Sequence, residues 1–280
     1  LSENDSRGFG LRQLHNERIT MKPYVVSGDI DILIERWAAR HGFIPPLKKF
    51  FDYLQLSLSE TLASIFGTVE FIPSGELKNP VLPRRMEQLP LVTLDRVYVQ
   101  SPHRIELTRT VLPDFSDGPV GARGGVADIQ TQLKSLRYAL GNNQDIVVYD
   151  DVIFSGHLLS EACRKIEGVG FKIQRVLCGV GIEEGVRRIE SNGWSVECGK
   201  RYSEVTDQVC ERDFYPGVDY SGRTLATDHT VGLPYLRPFG NPCKWASVPE
   251  EHAVRFSQFC IGQSIRLIEE IGRLSGKVVL

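Results

Sequence analysis

An uninterrupted succession of strand, loop and helix begins at residue 145, and it constrains the fold more than any other stretch of the chain. Ile146–Tyr149 is a continuous apolar run of strand length, which is typical of a parallel strand buried on both faces. After Gly156 the apolar residues recur at the spacing of one helical face, at Leu159, Ala162, Cys163 and Ile166. A buried strand followed at once by a helix indicates an α/β protein with a parallel sheet.

The residues between this strand and this helix carry the chemistry. Asp150 and Asp151 follow the apolar run, and residues 153–157 form the loop. Open α/β sheets bind ligands at the carboxyl ends of their strands, and the amino end of a helix offers free N–H groups to an anion. Two adjacent carboxylates repel each other unless hydroxyls, N–H donors or a cation meet them. The pattern predicts a ligand with a phosphate at one end and a diol or a metal ion at the other.

This segment resembles the phosphate- and sugar-binding loop of the type I phosphoribosyltransferases, in which four apolar residues, two acidic residues and a turn ending in Thr-Gly or Ser-Gly precede a helix. The resemblance implies a Rossmann-like phosphoribosyltransferase core with a mostly parallel sheet. It implies that Asp150 and Asp151 are the catalytic pair, which faces the ribose hydroxyls and holds Mg²⁺, the expected cofactor, directly or indirectly. It also implies a 5′-phosphate site in the loop formed by Ile153, Phe154, Ser155, Gly156 and His157.

Two functions are consistent with this resemblance. The first is a phosphoribosyltransferase, a pentosyltransferase that binds phosphoribosyl diphosphate or a related nucleotide and transfers phosphoribose to a base with release of diphosphate. The second is a catalytically inactive sensor or regulatory effector of nucleotides or sugar phosphates. Phe154 and Leu158 favour the second function, because the family usually has small or polar residues at these positions. Two further alternatives are a defence effector that consumes nucleotides and an ordinary Rossmann-like strand whose aspartates cap the next helix.

Other candidate contacts to diphosphate lie in two earlier loops. Arg104 ends the segment Ser101–Arg104, which resembles the family's diphosphate loop in its position only. Arg123 lies among glycines in the long loop of residues 111–127, where the family has a mobile loop that closes over the site. Glycines permit movement and arginine offers a forked donor, so Arg123 is a candidate diphosphate ligand. A solvated surface loop is the alternative.

Residues 211–224 alternate charged, aromatic and turn residues, a pattern that fits neither a buried strand nor a helix. By position the segment corresponds to the family's hood over the base. The candidate contacts to the base or the diphosphate are Arg212, Asp213, Phe214, Tyr215 and Arg223. The aromatic side chains would stack on a ring and the arginines would bind phosphate oxygens. An irregular surface connection is the alternative.

The chain divides by pattern into two parts. Residues 1–90 are predicted to hold an extended arm (1–20), an all-helical accessory block with helices at 29–41, 47–54 and 59–66, and a proline-rich connector (68–90). Residues 91–280 are predicted to form the phosphoribosyltransferase-like domain. Its predicted elements are a hairpin within 92–110, helix 129–140, strand 172–182, helix 183–191, strand 194–202 and a long C-terminal helix at 249–274. A homo-oligomer formed through the N-terminal or C-terminal helices is an expectation.

Composition excludes several classes of function. The formal net charge of −2 gives no electrostatic signature for nucleic acid or an anionic membrane. No apolar run approaches the roughly 18–20 residues that span a bilayer. Six dispersed cysteines without a Cys-x-x-Cys pair are typical of free thiols in a reducing compartment. A cytoplasmic location is therefore expected.

Overall fold

The computed structural model describes residues 22–77, 88–141 and 144–276. Within these ranges the chain forms three sheets and eight α-helices. The predicted arm at residues 1–20 and most of the second half of the predicted connector lie outside the described residues.

Five parallel strands form the central sheet, in the order β4-β3-β7-β8-β9. Their bounds are β3 Leu91–Thr93, β4 His103–Arg104, β7 Asp145–Ile153, β8 Lys172–Ile182 and β9 Val196–Tyr202. The order places β7, the strand that carries the acidic pair, in the middle of the sheet. The predicted α/β class with a mostly parallel sheet is thereby confirmed.

Both faces of the central sheet are covered, which explains the continuous apolar run of β7. One face packs against α4 (Ile129–Leu140), α5 (His157–Gly168) and α6 (Glu183–Ser191). Ile146 and Val148 point to these helices, while Val147 and Tyr149 point to the opposite core, and none of the four is exposed. Because successive side chains of a strand alternate between faces, a strand covered on both sides needs apolar residues at every position.

A second, three-stranded parallel sheet has the order β10-β1-β2, with strands Asp207–Cys210, Tyr24–Ser27 and Val69–Ile72. Four helices accompany it: α1 (Ile30–His41), α2 (Lys48–Phe66), α3 (Ser74–Leu77) and α8 (Glu250–Ser275). Residues 29–66 hold helices and no strand, as predicted, but the two predicted helices at 47–54 and 59–66 are one. The strand β1 precedes this block, and part of the predicted connector is β2. Since β1 pairs with β10, the predicted domain boundary at residue 90 separates segments that share a sheet.

A third, mixed sheet has the order β12-β11-β5-β6. Its strands are β5 Leu107–Val111, β6 Asp117–Ala122, β11 Arg223–Leu225 and β12 Asp228–Leu233, and the short helix α7 is Pro242–Trp245. The hairpin predicted within 92–110 is wrong, because β3 and β4 are parallel neighbours. The antiparallel pair is instead β5–β6, which lies partly in the predicted loop 111–127.

The predicted helices at 129–140, 183–191 and 249–274 and the strand at 172–182 are confirmed to within a residue at each end. No helix among the described residues combines the length and the apolar content needed to cross a bilayer. The six cysteines are free, and four of them are buried. Apolar side chains near α2 and on α8 are exposed, among them Leu47, Leu56 and Ile265, and the homo-oligomer stays a prediction.

Candidate functional site

Strands from all three sheets meet at one cleft of about 350 Å³. β7 contributes the acidic pair, β5 and β11 contribute arginines, β10 contributes one side wall and α7 contributes a lysine and a tryptophan. The predicted site residues that line the cleft are Arg123, Asp150, Asp151, Ile153, Phe154, Ser155, Gly156, Arg212, Asp213 and Arg223. A cleft of this size lies within the usual range for small-molecule and cofactor sites.

The acidic pair lies inside β7, because the strand continues through Ile153 and does not end before Asp150. Both side chains are partly buried. Asp151 turns towards Arg212, with its Oδ2 3.5 Å from Nη2 of the arginine. Asp150 accepts a hydrogen bond from the backbone N–H of Asp151 at 3.1 Å. The two carboxylates therefore have different surroundings although they are adjacent in the chain.

Burial and mutual repulsion make the charged state of this acidic cluster costly. Burial raises the pKa of Asp150 well above its usual range, and the neighbouring Asp151 and Asp95 raise it further, against the opposing effect of Arg123. The pKa of Asp95 is raised by burial and then by Asp151. A cation or several hydroxyl donors in the cleft would relieve this repulsion.

Asp95 is a member of this cluster that the sequence analysis missed. It follows β3, whose neighbour in the sheet is β7, so the carboxyl ends of the two strands lie side by side. Its carboxylate accepts backbone hydrogen bonds from Val97 at 2.8 Å and from Tyr98 and Val99 at 2.7 Å. An acid two residues after a short strand was the available signal, but only the strand order shows that Asp95 lies close to Asp150.

The phosphate-loop candidate is very short, since only residues 154–156 separate β7 from α5. Gly156 precedes the first helical residue and has φ of 73°, a left-handed conformation that glycine adopts without strain. The loop is held from behind by α6, where Arg188 donates a hydrogen bond to the carbonyl of Ser155. The amino end of α5 therefore faces the cleft in a fixed position and with free N–H groups.

Gly185 of α6 allows this close approach, because a Cβ there would collide with the carbonyl oxygen of Phe154 and lie 3.0 Å from the backbone N of Gly156. Gly185→Ala is expected to push the loop outward, to destabilise the protein by about 1–3 kcal/mol and to weaken the binding of inorganic phosphate. Gly262→Ala in α8 is the matched control, since nothing lies within 4 Å of its added Cβ. Urea unfolding and phosphate titration of both variants measure the two effects. Equal stability and equal phosphate binding in the two variants would contradict this account of the loop.

Arg212 connects the acidic pair to Asp29, a buried acid just before α1. Its side chain is 8% exposed and forms an ion pair with Asp29, whose side chain is fully buried. The backbone N–H of Arg212 also donates to Oδ1 of Asp29 at 2.9 Å. Because the same guanidinium lies 3.5 Å from Asp151, Arg212 joins β7 to the start of α1 and orients Asp151.

Glu211, beside Arg212, was also missed by the sequence analysis. Its Oε2 accepts hydrogen bonds from the backbone N–H groups of Asp29 at 3.1 Å and Ile30 at 3.3 Å, and from Nε2 of Gln55 at 3.2 Å. It therefore caps the amino end of α1 from a distant part of the chain. Burial raises the pKa of Glu211 to about 8, and the neighbouring Asp29 adds to the effect.

The predicted stacking role of Phe214 and Tyr215 is contradicted by their position. Neither ring lines the cleft. Both are buried in the core under α8, where the Phe214 ring meets the Phe256 ring edge-on at 5.0 Å. Asp213 in the same segment does line the cleft, and its Oδ1 accepts a hydrogen bond from the N–H of Gly222 at 2.8 Å. The start of this segment, Glu211–Phe214, is therefore a buried short 3-10 helix, and the aromatic residues Phe214 and Tyr215 serve packing.

Two other predicted contacts lie outside the cleft lining. Arg104 is part of the short strand β4 and lies 3.9 Å from Glu106, so Ser101–Arg104 is not a loop of this cleft. His157 is the exposed first residue of α5. Arg123, in contrast, lines the cleft after β6 and has a buried Nε atom without a hydrogen-bond partner among the described residues.

Further cleft residues were missed by the sequence analysis. Among them are Arg109, Asp207, Tyr235, Lys244 and Trp245. Their types are common on protein surfaces and in cores, and they come from four separate chain segments. Only the pairing of β11 with β5 and the position of α7 bring them to one place, so no local pattern marked them.

The carboxylates of Asp150 and Asp151 are the candidate ligands for a divalent cation in the cleft. No group of three or more His, Cys, Asp or Glu side chains converges as a metal-binding cluster within the described ranges. Asp150 and Asp151 nevertheless offer hard oxygen atoms in a site where negative charge is costly. Mg²⁺ commonly binds one or two carboxylates and completes its shell with substrate phosphates and water. The residues present fit that mode of binding.

Comparisons with known proteins give distant structural neighbours. No protein-family model and no curated protein sequence matches the chain. UMP synthase from Leishmania donovani is similar over 53% of this chain and 27% of its own length, with 10% identity and a TM-score of 0.23. Adenine phosphoribosyltransferase from Rhodothermus marinus is similar over 43% of this chain and 73% of its own length, with 12% identity and a TM-score of 0.28. The adenine phosphoribosyltransferase from Thermoanaerobacter pseudethanolicus is similar over 66% of this chain and 73% of its own length, with 12% identity and a TM-score of 0.24. Similarity at such TM-scores is no argument for a shared activity.

Proposed function

We propose that the cleft binds phosphoribosyl diphosphate or a related nucleotide. In this proposal the ribose hydroxyls face Asp150 and Asp151, and the 5′-phosphate lies at residues 153–157, at the amino end of α5. The supporting observation is that the acidic pair and the helix end form one continuous wall of the same cleft. A ribose phosphate needs a hydrogen-bond acceptor pair and an anion site at neighbouring positions, and this wall offers both.

Mg²⁺ is proposed as the cofactor of this site. Asp150 and Asp151 would hold it, either directly or through water and the substrate's phosphates. When bound, the ion would neutralise part of the charge of the diphosphate. Arg123 lies close enough to Asp150 to lower its pKa, and we assign it the role of a diphosphate ligand, for which its unpartnered Nε is suited.

The proposed reaction is the transfer of phosphoribose to a base. A ring nitrogen of the base forms a bond to C1 of the ribose while the bond between C1 and the diphosphate oxygen breaks. The diphosphate leaves with the electron pair, and the base loses its N–H proton to solvent. The protein contributes position and electrostatic stabilisation of the leaving group, and it forms no covalent bond.

The second candidate function is a sensor that binds the same ligand without turnover. Phe154 lines the cleft, is 38% exposed and brings no polar group to the expected phosphate site, and Leu158 lines the cleft nearby. Both residues favour the sensor, because each removes a hydrogen bond that would hold or activate the substrate.

A thermal-shift titration with phosphoribosyl diphosphate and Mg²⁺ tests binding. A ligand present at about 100 times its Kd stabilises the native protein by about 2.7 kcal/mol, which corresponds to a rise in Tm of about 5–10 °C. The Asp150→Asn/Asp151→Asn double variant is expected to lose this rise. It should still fold, since the substitution removes the repulsion that raises the pKa of Asp150.

The matched control is Asp52→Asn/Glu60→Gln, which also removes two negative charges but does so at exposed positions of α2. A double Asn variant that responds as strongly as the wild type would overturn the assignment of the ribose site. Release of diphosphate in the presence of a panel of bases then separates the catalyst from the sensor.

A further inference from the structure

A second compartment of the cleft lies on elements other than those of the acidic pair. Its cations are Arg109 on β5, Arg223 on β11 and Lys244 on α7, and its aromatic residues are Tyr235 and Trp245. We call these five residues the cationic compartment. None of them has a role in the binding of ribose or of the 5′-phosphate described above.

The two arginines of the cationic compartment are held side by side. β11 pairs in parallel with β5, with Thr224 opposite Thr110, so the residues that precede them, Arg223 and Arg109, are neighbours across the strands. Like charges at neighbouring positions of adjacent strands repel each other. The guanidinium of Arg109 has no hydrogen bond or ion pair within the part of the chain that the structure describes. An anion between the two arginines would remove the repulsion.

Arg223 is held in a fixed orientation before any ligand arrives. Its guanidinium carbon lies 5.2 Å from the centre of the Trp245 ring and 5.9 Å from that of Tyr235. Its Nη1 donates a hydrogen bond to Asp117 at 3.0 Å. Cation–π contacts and this hydrogen bond restrict the side chain, so the entropic cost of binding an anion is reduced.

The unused hydrogen-bond donors of the cationic compartment favour an anionic ligand. Its three cations lie near three carboxylates, Asp114, Asp117 and Asp207, so the cations and carboxylates are equal in number. Trp245 is only 4% exposed, and its Nε1 has no acceptor among the described residues. A buried N–H group without a partner costs free energy that a ligand oxygen would recover.

We propose that the cationic compartment binds the carboxylate or phosphate of an anionic, ring-bearing acceptor, while the acidic pair holds the ribose. This inference rests on the proposed function and narrows its acceptor to one class. The half-buried ring of Tyr235 favours a ring over the leaving diphosphate, because it lines the cleft with planar apolar surface. The forked, preoriented Arg223 suits a planar carboxylate or a phosphate equally.

The experiment uses pairs of ring compounds in which one member carries an anionic group and the other member is neutral. Nicotinate with nicotinamide and uracil-6-carboxylate with uracil test the carboxylate, and phenyl phosphate with phenol tests the phosphate. Each compound is titrated into the full chain with and without saturating phosphoribosyl diphosphate and Mg²⁺. At least one anionic member is expected to raise Tm by about 2 °C or more at millimolar concentration, and its neutral partner is expected to have no effect.

The Arg109→Gln/Lys244→Gln double variant tests the site itself. Arg109 has no partner to lose and Lys244 is exposed, so the variant should fold as the wild type does. Affinity for the anionic ring is expected to fall about 10- to 100-fold, while the response to phosphoribosyl diphosphate stays unchanged. Arg187→Gln is the control, because this arginine is 75% exposed on α6 and does not line the cleft.

Each outcome decides between the two proposals. Equal effects of charged and neutral rings, or no effect of any anionic ring, would overturn the acceptor class. A double variant that loses the response to phosphoribosyl diphosphate would instead mean that the cationic compartment holds the diphosphate. If the wild type binds anionic rings but not phosphoribosyl diphosphate, the cationic compartment stands and the proposed function fails.

Discussion

Replacement of Arg212 by methionine is expected to reduce the free energy of unfolding by about 3–5 kcal/mol. The reason is the ion pair with Asp29, whose side chain is fully buried. Removal of one partner of a buried pair leaves the other charge without compensation and out of contact with water. Asp151 loses a neighbouring cation at the same time, so the orientation of one carboxylate of the proposed ribose site is lost as well.

Urea unfolding of four proteins measures this effect. They are the wild type, Arg212→Met, Asp29→Asn and the double variant. The double variant is expected to be more stable than Arg212→Met alone, since the neutral amide no longer needs a cation, and the coupling free energy of the cycle should exceed 1 kcal/mol. Arg237→Met is the control, because this arginine pairs with the exposed Glu250. A loss below about 1 kcal/mol for Arg212→Met would mean that the pair is not buried as described.

The elements that the sequence predicted well are those with a long periodic pattern. α4, β8, α6 and α8 extend over nine to 26 residues, and each is marked by its apolar spacing. The elements that were missed are short. β1 and β2 have four residues each, too few for either period to be recognised, and β2 follows directly on a helix that the pattern analysis had already divided in two.

The residues of the candidate site also fall into two groups, those that a local sequence pattern revealed and those that it did not. The wall built from β7 and α5 is continuous in the chain, so the order of its residues revealed it. Asp29, Asp95 and Arg109 join the site through strand order and pairing, which no local pattern records. The segment 211–215 was noticed for its composition, but its aromatic residues pack in the core. Composition identified an unusual segment and could not show which side chains face the cleft.

The pH dependence of the unfolding free energy measures the effect of burial on the pKa of Glu211. Folding raises the pKa of Glu211 from about 4.5 to about 8, mainly because the charged form is removed from water. Between these pH values the folded protein keeps a proton that the unfolded chain has released. The contribution of Glu211 to the free energy of unfolding therefore falls as the pH rises, by about 1.4 kcal/mol per pH unit, and becomes constant above pH 8.

Glu211→Gln is expected to remove this slope. The amide oxygen can accept the same hydrogen bonds from Asp29, Ile30 and Gln55, and any cost of its buried amide group is independent of pH. The difference in unfolding free energy between the variant and the wild type should therefore shift in favour of the variant by several kcal/mol from pH 5 to pH 8. Glu60→Gln, an exposed position on α2, should show almost no such shift. Urea unfolding at half-unit pH intervals provides the measurement, and parallel curves for wild type and Glu211→Gln would mean that Glu211 is ionised in the folded protein.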